Sequence, residues 1–288
     1  MRTIVHISDL HFGRVRPEVL QPLSDVVKSL DPSLVAVSGD LTMRARQREF
    51  EQAREFLETL PEPRIVLPGN HDLPHSRPLE CFVNALGRYE CHISRDLAPY
   101  YHDSEIAVAG VNTARRFNYR GGRINRQQVA AALDRLASAP PRATRIVVTH
   151  HPFDLPGSYS SRRLVGRARM ALEAFLEAGA DVFLAGHMHV TYAGHTAERW
   201  KIRDYAALVI QAGTATSTRE RKETNAFNVV YVRPAHITVI AYSWNGRMFA
   251  PQPEQCFHRT NTGWRPALSG GPAAVDGEHA ACSELSFA

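Results

Sequence analysis

Five short, β-branched runs punctuate the first 190 residues, and each one stops at, or within a few places of, side chains that bind metals. Thr3-Ile4-Val5-His6-Ile7-Ser8 ends at Asp9, with His11 two places on. Ser33 to Gly39 ends at Asp40, and Arg64 to Gly69 ends at Asn70-His71-Asp72. Arg145 to Thr149 ends at His150, and Asp181 to Gly186 ends at His187, with His189 following. Such runs read as buried strands. Open α/β sheets place their chemistry beyond the carboxyl ends of their strands. Five strand ends on one edge would therefore gather two Asp, one Asn and four His, the donor set of a dinuclear metal site.

The stretches between these runs carry helical spacing. Pro17 to Leu30 places Val19, Leu23, Val26, Val27 and Leu30 on one side, with a proline near its start, where helices tolerate it. Gln47 to Leu60, Asn125 to Leu136 and Arg167 to Ala178 repeat the pattern, and Gly179 is placed to cap the last of them. Strands alternating with helices imply βαβ crossovers and parallel pairing. After residue 190 the long helical patterns cease. Thr191–Thr196, Leu208–Gln211, Phe227–Val232 and Ile237–Tyr242 read as strands of a second, largely antiparallel sheet packed on the first. The expected fold is α/β, a two-sheet αββα sandwich with the metal site at strand carboxyl ends. Residues 1–260 would form the domain, and 261–288, rich in Gly, Pro, Ala and Ser, are expected to be a mobile tail.

Composition narrows the function classes. At 288 residues with 44% hydrophobic and 22% charged content, the chain is an ordinary globular one. Its net charge of +5 is mild and argues against nucleic acid as the main partner. Cys81, Cys91, Cys256 and Cys282 show no metal-knuckle or disulfide spacing, which fits reduced thiols. Met1-Arg2 runs directly into the first strand without a secretory pattern, and no apolar stretch is long enough to span a bilayer. The cytoplasm is the expected location, and oligomeric state is left open.

The blocks Asp9-Leu10-His11, Gly39-Asp40, Gly69-Asn70-His71-Asp72, His150 and Gly186-His187-Met188-His189 resemble, in order, those of the calcineurin-like metallophosphoesterase superfamily. The resemblance covers residues 9–189 and implies two divalent cations: manganese, iron, zinc or cobalt. Asp9, His11 and His189 would hold one, and Asn70, His150 and His187 the other, with Asp40 bridging. His151, beside His150, is not expected to be a ligand. A hydroxide between the ions would attack phosphorus. His71 would contact the phosphate and assist the leaving oxygen, with Asp72 orienting it or its loop. Two dications, two aspartates and a hydroxide sum to about +1, which suits a singly charged diester.

Gly39-Asp40-Leu41-Thr42, Gly69-Asn70-His71-Asp72 and His150-His151-Pro152 look most like bacterial class III cyclic nucleotide phosphodiesterases and related glycerophosphodiesterases. The resemblance therefore implies a small phosphodiester substrate, with cyclic nucleotides as candidates. Met43 and Arg44 stand where the protein phosphatases carry Asp-Arg. Hydrolases of nucleotide-sugar lipid pyrophosphates share the first block but carry Arg in place of His71. DNA nucleases of the superfamily add regions for which residues after 190 leave little room, and non-catalytic scaffold relatives have lost ligands that this chain keeps. Arg115, Arg116 and Arg162, in two basic loops, are candidate substrate contacts. Gly121-Gly122 suits either a close turn or a lid, and Phe117 or Tyr119 could stack a base.

Overall fold

The computed structural model describes residues 1–156, 159–160, 163–196, 199–200, 202, 205–218 and 223–267. The five motif-bearing runs are strands β1 (Arg2–Ile7), β2 (Leu34–Val37), β3 (Arg64–Val66), β6 (Thr144–Val148) and β7 (Val182–Ala185). The others are β4 (Tyr100–His102), β5 (Ile106–Gly110), β8 (Tyr192–His195), β9 (Leu208–Gln211), β10 (Ala226–Arg233), β11 (His236–Trp244), β12 (Phe249–Pro251), β13 (Gln255–Thr260) and β14 (Gly263–Pro266). Among the described residues they form two sheets. One runs β14-β13-β11-β10-β1-β2-β3, with β12 on β11, and the other runs β4-β5-β6-β7-β9-β8.

The strands after residue 190 do not make the separate antiparallel sheet expected from sequence. β10 pairs antiparallel with β1, whereas β9 pairs parallel with β7. Each sheet is therefore mixed. The parallel strands β1 and β7 would otherwise leave open edges, and the late strands cover both.

Alternation along the strands decides the layering. Ile4, Leu34, Ala36 and Ile65 of the first sheet meet Val108, Ile146, Val148, Val182 and Leu184 of the second in a shared core. Val5, Ile7, Val35 and Val37 turn the other way, onto Leu23 and Val27 of α1 (Leu20–Ser29) and Phe50, Ala53, Phe56 and Leu57 of α2 (Gln47–Glu58). On the outer face of the second sheet, Ala107, Ala109, Val147 and Phe183 pack on α5 (Arg126–Ala137) and α6 (Ala168–Glu177). The result is the αββα sandwich. Two short helices, α3 (Pro78–Val83) and α4 (Gly87–His92), carry too few periodic residues to be read from sequence.

Local signals act as their chemistry requires. Pro17 opens a 3-10 turn, Pro17–Val19, ahead of α1. The Asn125 side chain accepts from Gln128 N–H at 2.9 Å and starts α5. Gly179 ends α6, its N–H bonding Leu176 O while Ala180 N–H bonds Phe175 O, a Schellman pattern. The first sheet extends past the expected boundary at 260. β14 pairs with β13, and Trp264, 1% exposed, donates to Asp181 Oδ1 at 3.2 Å. The remainder of the expected tail, 268–288, lies outside the described residues.

Candidate metal centre

The loops after β1, β2 and β7 bring their acidic and imidazole side chains together through unusual backbone. Asp9, His11, Asp40, His187 and His189 have φ of 55°, 53°, 54°, 72° and 57°. Left-handed conformations are costly for residues other than glycine, and they cluster where function over-determines geometry. Asp9 N–H bonds Gly39 O at 3.0 Å and His11 N–H bonds Asp40 O at 2.9 Å, so the first two loops advance side by side.

The side chains fall into two adjoining groups. In the first, His189 Nε2 lies 3.1 Å from Asp9 Oδ1, and His11 Nε2 lies 3.6 Å from that oxygen. The two imidazole Nε2 atoms are 3.1 Å apart. Asp9 Oδ2 is occupied by Ser8 Oγ–H at 2.7 Å and His187 N–H at 2.9 Å, while Oδ1 is buried without a hydrogen-bond partner. In the second, His150 Nε2 lies 3.1 Å from Asn70 Oδ1, with the His187 ring centroid 5.2 Å from that of His150. Asp40 faces both groups. Its Oδ2 is 3.7 Å from His11 Nε2, and its Oδ1 is 3.3 Å from His150 Nε2.

Burial alone would lower the His150 imidazole, but the charge of Asp40 outweighs it and pushes His150 up to about 9. Burial likewise works against the charge of Asp40, and His150 reverses it, holding the carboxyl well below the usual range. His187 falls to about 3 through burial and the neighbouring His150. Ligand atoms of Asp9, His11, Asp40 and His189 lie within 4.8 Å of one another, as do those of His150, His151 and His187. A buried carboxylate oxygen with no hydrogen-bond partner, set among imidazole nitrogens, is the chemistry of a divalent-cation site, and the residues fit the two-ion arrangement.

Supporting contacts orient these groups. His150 Nδ1 donates to Ser38 O at 2.8 Å, which turns Nε2 toward Asn70 and Asp40. Ser38 Oγ in turn meets His6 Nε2 at 2.9 Å. Asp72 ties two loops: its oxygens accept from Leu41 N–H at 3.1 Å, Thr42 N–H at 2.8 Å and Gly69 N–H at 2.8 Å. Burial and the charge of Asp40 raise its carboxyl to about 7, against those hydrogen bonds. Those hydrogen bonds hold Asp72 to both loops. His71 donates its backbone N–H to Asp40 Oδ1 at 2.8 Å and its Nδ1 meets Met43 O at 2.9 Å.

The basic loops behave differently from one another. Arg115 is spent on the carbonyls of Asn112 and Ala114 and on the Gln128 amide. Arg116 bonds Phe82 O and lies over the Phe82 and Phe117 rings. Arg162 lies outside the described residues. Gly122 makes the close turn: a Cβ there would come 2.3 Å from His151 Nδ1, and φ is +57°. His151 sits beside the second group, with its ring 4.7 Å from that of His187 and its Nδ1 on Thr113 Oγ1 at 2.8 Å. Strand alternation does not separate it from His150, because β6 ends at Val148. Sequence reasoning gave no role in the site to Ser8, Ser38, Thr113 or the Tyr119 hydroxyl. No spacing rule signals them: Ser38, Thr113 and Tyr119 meet partners far away along the chain, and Ser8 supports its neighbour Asp9 only through the folded loop.

The family model for calcineurin-like phosphoesterases matches residues 2–191, and the chain belongs to that family. Glycerophosphodiester phosphodiesterase GpdQ of Enterobacter lignolyticus is 35% identical over 92 residues, 26% of this chain and 33% of that protein. A probable cyclic nucleotide phosphodiesterase of Synechococcus is 26% identical over 166 residues, 54% of this chain and 60% of that one. The matches thus span about a third and three-fifths of these relatives. Among solved structures, a purple acid phosphatase from yellow lupin superposes with a TM-score of 0.64 at 12% identity, covering 87% of this chain and 52% of its own. A dimetal phosphatase from Danio rerio gives 0.60 at 13% identity, covering 87% and 98%. These two likenesses are likenesses of fold.

Proposed function

We propose that this chain is a dinuclear-metal-dependent phosphodiesterase acting on small diesters, with cyclic nucleotides and glycerophosphodiesters as candidate substrates. The observation that carries this reading is the placement of Asp40, one carboxylate oxygen toward His11 and the other toward His150. Asp9, His11, His189 and Asp40 would hold one cation, and Asn70, His150, His187 and Asp40 the other. Bound there, two divalent ions supply Lewis acidity at the phosphoryl oxygens and lower the pKa of water.

The chain's own residues do the rest. Asp9 and Asp40 bring two negative charges against two dications, which leaves the site positive for an anionic diester. His71 keeps Nδ1 on Met43 O, so Nε2 is the nitrogen that would pass a proton to the leaving oxygen. Asn70 and His71 are adjacent, so one short turn, Asn70–Asp72, carries both a ligand of the second group and the proton donor. The family and the names of the two relatives favour a phosphoric diester over other esters. We infer also a cytoplasmic location, since Cys81, Cys91 and Cys256 carry free thiols, and among the described residues no helix is long and apolar enough to cross a membrane.

The test is a panel of cyclic nucleotides, glycerophosphodiesters, nucleotide-sugar lipids and monoesters, run with manganese, iron, zinc and cobalt. Metal-dependent turnover of one or more diesters, lost in Asn70→Ala, is the expected result. Turnover confined to monoesters, or unaffected by chelation, would contradict the proposal.

A further inference from the structure

Beside His71 lies a cavity of about 250 Å³, whose lining includes Met43, His71, Leu73, His75 and Tyr119. Tyr119 reaches it from the loop between β5 and α5. Its hydroxyl faces the edge of the His71 ring, 3.0 Å from Nε2 and 3.2 Å from Nδ1. Because a carbonyl only accepts, Met43 O fixes the proton on Nδ1. Nε2 is therefore the nitrogen that exchanges hydrogen bonds with Tyr119. The phenol ring packs edge-on against His75, with centroids 4.2 Å apart.

We infer that this cavity receives the alcohol half of the diester, and that Tyr119 positions His71 toward it. The inference rests on the phosphodiesterase reading and deepens it. A volume of about 250 Å³ suits a small polyol better than a long chain. His71 Nε2–H gives its proton to the leaving oxygen as the P–O bond breaks. The Tyr119 hydroxyl then donates to the bared Nε2 lone pair. A leaving group that departs readily as an anion needs no such proton, whereas an alkoxide does.

Tyr119→Phe removes only the hydroxyl and keeps the ring on His75. With the manganese-loaded full chain, two probes separate the roles: bis(4-nitrophenyl) phosphate and glycerophosphoethanolamine. The expected result is kcat for the nitrophenyl diester within about twofold of the parent. For the glycerol diester kcat should drop about tenfold or more, with KM little changed. Equal losses on both probes, or none on either, would overturn the inference. A second readout does not depend on turnover: in ¹⁵N-histidine spectra with zinc added, the His71 Nε2 resonance should shift in Tyr119→Phe. An unmoved resonance would also overturn it. Asp40→Asn keeps the two readings apart. If that variant retains full activity, the metal reading fails while the nitrogen resonance still judges Tyr119.

Discussion

Oδ1 of Asp40 stands 3.3 Å from Nε2 of His150, with both side chains sealed from solvent. They come from loops 110 residues apart, one after β2 of the first sheet and one after β6 of the second. Their meeting shows that the carboxyl edges of the two sheets face a common point. The carboxylate also accepts His71 N–H on the same oxygen, so its orientation is fixed on two sides.

Close approach of backbone sets that orientation, and Gly69 permits it. A Cβ at Gly69 would fall 2.2 Å from Asp40 Oδ1 and 2.3 Å from Asp40 N. Gly69→Ala should displace the carboxylate without removing any ligand. We expect metal affinity to fall about 10–100-fold, as for the loss of a supporting contact. Calorimetric titration with manganese or zinc checks this, and unchanged affinity would show that Asp40 is not held by that contact.

Acid stability should report His6. Burial lowers its imidazole from 6.5 to about 3. The folded state therefore keeps it neutral while the unfolded chain takes up a proton below 6.5. Stability from this group is complete above that pH and is lost as pH falls toward 3. Its contribution to the slope is about 1.4 kcal/mol per pH unit across that window. Urea unfolding between pH 6.5 and 4 should be less pH-dependent in His6→Gln than in the parent. Parallel curves would assign the acid sensitivity elsewhere.

The strand beyond residue 260 should matter for stability. Trp264 joins the core between the sheets and bonds Asp181. Trp264→Ala is expected to cost about 3–5 kcal/mol, and a chain ending at 260 at least as much. Denaturant midpoints decide this, and a truncated chain as stable as the parent would make β14 dispensable.

Much of the site could be read before any coordinates, because metal ligands are rare residue types at strand ends and the strands are strongly apolar. Asp9, His11, Asp40, Asn70, His150, His187 and His189 all come together. Sheet membership could not be read. Whether β10 pairs with β1 or with a neighbour of its own depends on edges left open some 220 residues earlier in the chain. Arg115 shows the same limit from the other side. A basic loop residue looked available to a phosphate, yet Gln128 on α5 and two carbonyls take its donors. For His151 the family's pattern is the guide, since strand alternation no longer applies three residues beyond the end of β6 at Val148. Left-handed backbone at Asp9, Asp40 and His187 leaves no mark in residue type, since only the folded loops impose it.

The central claim is that Asp40 serves two cations at once, and the most direct measurement is metal content after reconstitution with excess manganese. The parent should retain two ions per chain, and Asp40→Asn one or none, with diester hydrolysis abolished. Two ions held by Asp40→Asn, with turnover intact, would contradict the account.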